Sequence, residues 1–335
     1  MLTQPVELKE KINKAKELTE KIYGEIPQRP VHLSGGIKSS DTFFAAGKAI
    51  MNKYELLIDL GEREVALPFI GVIPNRREKL PAIIFLSNEE YLPNKYLPVE
   101  EITDRGYAVF YLCTKVISDT DEDFKSGICG KIARSRRRKS SPGKIAVWAW
   151  ALMRVTEYIA DFDFVNKEQI IVAGHGIYAR AAMLAAGFDE KTSYVIANGI
   201  RSYPIPFSSE IPQSSITVRD FPHLYCPGFV ENPFGDEYSA LLSLVAPRNL
   251  LIGSAEDGEY TDNDLETKHL SALSEEYYLP YGFVGLDKYK NTPTASIKSK
   301  DGEISYHLRC GTDYFSREDW KIYLDFIDEK IAKNN

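Results

Sequence analysis

Three features of the sequence predict an α/β fold with a mainly parallel central sheet, helices on both faces and an antiparallel lead-in. Short apolar runs of strand length alternate with helical segments, the pattern of a parallel sheet covered on both sides. One such run, residues 169–173, passes through Gly174-His175-Gly176 straight into an Ala-rich helical stretch, a strand–turn–helix unit. The 335 residues are 44% hydrophobic and 12% aromatic, enough for a large core, and α/β chains of this size often form one unit.

Leu8, Ile12, Ala15, Leu18 and Ile22 recur at helical spacing among Lys and Glu, giving an amphipathic N-terminal helix that stops near Gly24, before Pro27 and Pro30. Strands are expected at 54–59, 64–73, 82–86 and 108–113, the early ones as the antiparallel lead-in. Residues 144–161 read as a long helix with Trp148, Leu152, Val155 and Ile159 on one face. Then follow strand 169–173, helix 177–187, strands 194–198 and 249–254, helix 264–275 and a terminal helix 318–333. No internal repeat or linker interrupts the pattern. The chain therefore divides into an N-terminal helix, 1–30, and one domain, 31–335, with an aromatic, Pro-rich excursion at 202–234.

A net charge of -7 argues against nucleic acid and anionic membrane surfaces as partners. The basic run at 134–139 goes against that average and reads as a solvated loop. No apolar signal core opens the sequence and no segment has the length and apolarity of a bilayer span. Cys113, Cys129, Cys226 and Cys310 are scattered without metal-ligand spacing, so they read as reduced thiols of a cytoplasmic protein, with no metal and no cofactor.

Three stretches in order carry a family resemblance. Residues 174–189, GHGIYARAAMLAAGFD, resemble the elbow of the glucuronoyl-esterase-like and acetyl-xylan-esterase-like α/β-hydrolases, which reads Gly-His-Ser-Arg with an Ala-rich helix after it. Residues 221–255 are similar to that family's Phe-Pro-x-Trp-Phe-Cys-Pro segment and its Ala-Pro-Arg strand, and residues 305–320 to its Tyr-His-x-Arg-x-Gly-x-His stretch. The resemblance implies an α/β-hydrolase fold from about residue 50 onward. It also puts Gly176 at the nucleophile, Asp313 at the histidine, a position near Gly199 at the acid, Ile177 at an oxyanion-holding arginine and Arg180 at a lysine.

A serine hydrolase needs an attacking hydroxyl, an imidazole to take its proton and a carboxylate to hold the imidazole. Glycine cannot attack, and an ordinary carboxylate, with pKa about 3.9, is too weak a base to replace histidine. Losing Ser or His alone from such a triad costs about a millionfold in turnover. The usual esterase route is therefore expected to be closed.

Among the five histidines, His175 lies in the elbow and reads as a packing or backbone-bonding residue; His307 reads as a structural hydrogen-bonder. His223 is divided between pocket mouth and surface, and His32 and His269 read as surface residues. In the acidic cluster after the 249–254 strand, the resemblance keeps Glu256 and Asp262 and turns a tryptophan into Tyr260, and Asp257 is the best remaining acid. Counting back from Ala246, the family's sugar-contacting pair becomes Tyr238 and Ser239. Binding candidates are thus His175, Ile177, Arg180, His223, Tyr238, Glu256 and Tyr260.

Three readings follow. The first is an α/β-hydrolase-fold pseudoenzyme that binds a small carbohydrate or carboxylate ligand, or a protein partner. The second is a hydrolase rebuilt around water and Asp313 or Asp257. The third is a structural protein that oligomerises through its N-terminal helix.

Overall fold

The structure is a computed structural model that describes residues 5–76, 78–132, 137–200, 221–229, 237–257, 263–286 and 302–334. Helix α1 (Val6–Tyr23) leads into β1 (His32–Asp41), β2 (Ala49–Asp59), β3 (Glu64–Pro74) and β4 (Leu80–Ser87). Then come α2 (Val99–Asp104), β5 (Ala108–Cys113), α3 (Thr114–Ile117), α4 (Gly127–Ile132), α5 (Lys144–Ile159), β6 (Val165–His175), α6 (Ile177–Phe188) and β7 (Tyr194–Asn198). The chain closes with α7 (Glu237–Val245), β8 (Asn249–Ala255), α8 (Asn263–Tyr277), β9 (Ile304–Arg309) and α9 (Arg317–Asn334).

One sheet holds all nine of these strands in the order β1-β2-β3-β5-β4-β6-β7-β8-β9. Strands β1, β2 and β3 pair antiparallel, as do β3 and β5; from β5 through β9 every neighbour is parallel. This is the α/β-hydrolase arrangement, antiparallel lead-in included. The central strands are apolar because both faces are covered: β5 is buried at all six positions. One core layer lies under α5 and α6, around Trp148, Trp150 and Met183; the other lies under α9, around Phe85, Phe315 and Trp320.

Strand β1 has no counterpart among the sequence expectations. Its segment HLSGGIKSSD is almost wholly exposed and lacks a period-2 apolar pattern, so only the ladder offered by β2 makes it a strand. Elements α7 and β9 were likewise not delimited by periodicity. The excursion at 202–234 lies outside the described residues except for 221–229.

Helix α1 does not present its apolar face outward for oligomerisation. Leu8, Ile12, Ala15, Ile22 and Tyr23 are buried in the core, where the helix packs mainly on α7. Its last residue anchors it. The Tyr23 hydroxyl donates to Glu237 Oε1, the oxygen that also accepts from Arg180 Nη1 at 2.6 Å. Burial and the Glu237 carboxylate push the Tyr23 hydroxyl well above its usual pKa, keeping it a donor.

Candidate functional site

The elbow forms where β6 ends and α6 begins. Gly176 takes φ 58° and ψ -123°, a left-handed conformation that costs a residue with a Cβ of order 1–3 kcal/mol. Its N–H donates to Asn198 O (3.0 Å) and its carbonyl accepts from Ala179 N (3.1 Å), so both neighbouring elements hold the turn in shape. A Cβ built on Gly176 would meet nothing within 4 Å. The apex faces open space and brings no side chain to it. As the first residue of α6, Ile177 has an N–H without an intrahelical acceptor, the position of an oxyanion donor in this fold.

His175 takes a position at the elbow that the sequence does not reveal. Parallel register sets it opposite Asn198 at the end of β7. Asn198 Nδ2 donates to the Tyr323 hydroxyl (3.0 Å), which turns its Oδ1 toward His175 Nδ1 at 2.9 Å. Nδ1 is therefore the protonated nitrogen, and Nε2 faces Asp313 Oδ2 at 3.5 Å. That gap exceeds a direct charge-assisted hydrogen bond, about 2.7–2.9 Å, so Asn198 orients the ring and Asp313 stands off it. Tyr96 and Phe315 flank the imidazole, stacked at centroid distances of 6.3 and 6.0 Å, and Tyr314 packs on Tyr96 at 5.4 Å. Imidazole, carboxylate, helix N-terminus and two tyrosines thus converge beside the empty apex. Asn198, Tyr96 and Tyr323 carry no local signal in the sequence, because strand register and loop packing bring them here.

The acidic loop also comes close. Asp257 N donates to Gly311 O (3.0 Å) and Glu256 N to Arg309 O (2.9 Å), which draws the loop after β8 against the turn that carries Asp313. Both acids are exposed. The Glu256 carboxylate pushes the Cys310 thiol pKa up, so this exposed sulfur stays a poor nucleophile. Gly199, at the acid position, has φ 55° and donates to Gly253 O (2.8 Å), contributing only backbone. Asp262 and Tyr260 lie outside the described residues.

Four binding candidates are buried. Arg180 is fully buried, its guanidinium bonded to Glu237 Oε1 and to Ile200 O (3.1 Å). A guanidinium taken out of water needs such partners, and they hold it in the core instead of the cleft. Tyr238 is likewise buried, donating to Glu266 Oε1 (3.1 Å). Ile177 packs its side chain into the core. His223 is buried against Phe221, and burial backed by the charge of Lys144 lowers its pKa, so the ring is neutral. His269 is no plain surface residue, since its Nδ1 meets Ser239 Oγ at 2.9 Å and its ring sits edge-on to Tyr238. His307 is buried against Asp319 at 2.8 Å. Among the described residues no three His, Cys, Asp or Glu side chains group as metal ligands, and no helix is long and apolar enough to cross a membrane.

No known family profile matches the chain. A carbohydrate esterase, MZ0003, from an unknown prokaryotic organism is 28% identical over 251 residues, which span 70% of this chain and 56% of that protein. The chain thus matches little more than half the length of this curated relative. Among solved structures, a glucuronoyl esterase from Solibacter usitatus superposes with a TM-score of 0.82 at 20% identity, covering 95% of this chain and 91% of the other. A promiscuous CE15 esterase from the marine bacterial metagenome gives 0.78 at 21% identity, covering 95% and 90%. The fold is that of these α/β-hydrolases, and the sequence is related to a carbohydrate esterase.

Proposed function

We propose that this protein is a pseudoenzyme of the carbohydrate-esterase type, which binds a small carboxylate-bearing carbohydrate in the elbow cleft and does not form an acyl-enzyme. One observation carries the reading: the backbone at Gly176 keeps the nucleophile's strained conformation and faces open space, yet no attacking atom stands there. The α6 N-terminus favours an anionic group, and Tyr96 and Tyr314 offer faces to a sugar. Relatedness to a carbohydrate esterase supports the ligand class. The test is calorimetry with glucuronate and its methyl ester, beside turnover of p-nitrophenyl and glucuronate esters. Binding that is lost in His175→Ala, with turnover no higher than a denatured control, is the expected outcome.

A second reading rests on His175 itself. With Nδ1 held by Asn198, Nε2 is a basic nitrogen at the cleft and could take a proton from a water attacking an ester near the Ile177 N–H. Ester turnover that disappears in both His175→Gln and Asp313→Asn would replace the first reading by this one.

A further inference from the structure

The basic run at 134–139 looks from the sequence like a solvated loop, but its described end contributes to a formed groove. Arg137 and Arg138, with Arg29, Arg63 and Lys131, line a cavity of about 480 Å³ between the α1–β1 connection, the β2–β3 turn, α4 and the start of α5. Five basic side chains face it against two acids, Glu25 and Glu62, in a chain whose net charge is -7. Glu157 engages Arg29. Among the described residues Arg63, Lys131, Arg137 and Arg138 have no carboxylate at ion-pair distance. The groove also has a fixed element. The Arg137 guanidinium stacks 3.4 Å from the Phe124 ring centre and donates to Pro142 O at 2.9 Å, and Ser141 Oγ accepts from Arg138 N at 2.8 Å. Unpaired cations on a held backbone cost the fold their mutual repulsion, and an anion in the groove would offset it.

Position links this groove to the cleft. Strand β3 runs antiparallel to β5, so the β2–β3 turn projects from the carboxyl edge of the parallel strands, the edge that carries the elbow. Val147 lines the groove while its neighbour Trp148 packs on Tyr178, two residues past Gly176, at 5.5 Å. The start of α5 thus lies between the groove and the elbow.

We infer that the Arg63–Lys131–Arg137–Arg138 groove is a second binding site, for the carboxylate or sulfate groups of an acidic glycan chain whose terminal sugar occupies the elbow cleft. The inference rests on the cleft reading above for the sugar end and on the groove alone for the anionic end. Single-stranded nucleic acid fits less well, because among the described residues the groove lining holds no aromatic side chain for base stacking.

The test uses the full chain and the charge-reversal variant Arg63→Glu/Lys131→Glu/Arg138→Glu; all three side chains are exposed, and an unchanged melting temperature verifies folding. Calorimetry compares oligogalacturonate, a sulfated oligosaccharide, neutral xylo-oligosaccharide, single-stranded DNA and monomeric glucuronate. Expected are binding of an acidic oligosaccharide that weakens with salt and falls about tenfold or more in the variant, no comparable binding of the neutral chain, and an unaltered response to glucuronate. Preference between the carboxylated and sulfated chains identifies the anion. Equal binding by wild type and variant overturns the proposal, as does DNA binding as tight as the glycan and lost in the same variant. Groove-dependent oligosaccharide binding without any glucuronate binding sustains the groove and removes the cleft reading alone.

Discussion

His307 and Asp319 meet at 2.8 Å with side chains 1% and 2% exposed, whereas His175 and Asp313 meet at 3.5 Å with a quarter of each open to solvent. The pairs lie three strands apart in one register row, His175–Asn198–Gly253–His307, about 14 Å across the carboxyl edge of the sheet. Tyr323 connects them: its hydroxyl accepts from Asn198 and its ring stands 5.0 Å from His307, in space that exists only because residue 253 is glycine. A Cβ there would lie 2.3 Å from the Tyr323 oxygen. Asp319 is saturated by His307, Arg309 and Ser316, while Asp313 faces the cleft with one distant partner among the described residues. The same two residue types therefore make a structural pin in one place and an accessible pair in the other, and burial with partner count decides which.

The sharpest way to break this contrast is to remove one member of the buried pair. His307→Ala should cost about 3–5 kcal/mol in chemical denaturation, because Asp319 would be left charged and buried. A loss under 1 kcal/mol would erase the distinction. The same pair sets acid sensitivity. Burial penalises the Asp319 charge, but His307 and Ser316 outweigh it and hold the carboxyl below its usual value. Near and below pH 4 the unfolded chain binds the proton more readily, so this stabilisation is present above the ordinary carboxylate pKa and is lost as pH falls through the lowered one. Asp319→Asn should flatten the dependence of stability on pH in that range.

Next in size is Gly176→Ala, expected to cost of order 1–3 kcal/mol from backbone strain, since a Cβ there touches nothing. An unchanged melting temperature would mean a relaxed elbow. Tyr323→Phe should cost about 1–2 kcal/mol by leaving Asn198 Nδ2 buried without its acceptor, and should loosen the His175 ring while His307 stays in place, visible as line broadening of one imidazole in NMR. Asp313→Asn is the smallest: within about 0.5 kcal/mol in stability, with its effect confined to ligand affinity.

The sequence by itself determined strands β2 to β8, the elbow and the glycine at its apex. Short β-branched strands between amphipathic helices are legible because burial on both faces leaves its mark residue by residue, and β5 and β7 match the expected bounds to the residue. Gly176 is a local fact, since no folding can give glycine a nucleophile. Tertiary structure alone decided the company each polar residue keeps. Parallel register paired His175 with Asn198, loop packing set Asp313 opposite Nε2, and desolvation turned Arg180 and Tyr238 from cleft candidates into core partners of Glu237 and Glu266. These outcomes depend on distances between segments 23 to 138 residues apart, and the energy of a buried or paired charge changes severalfold with the dielectric that packing creates around it.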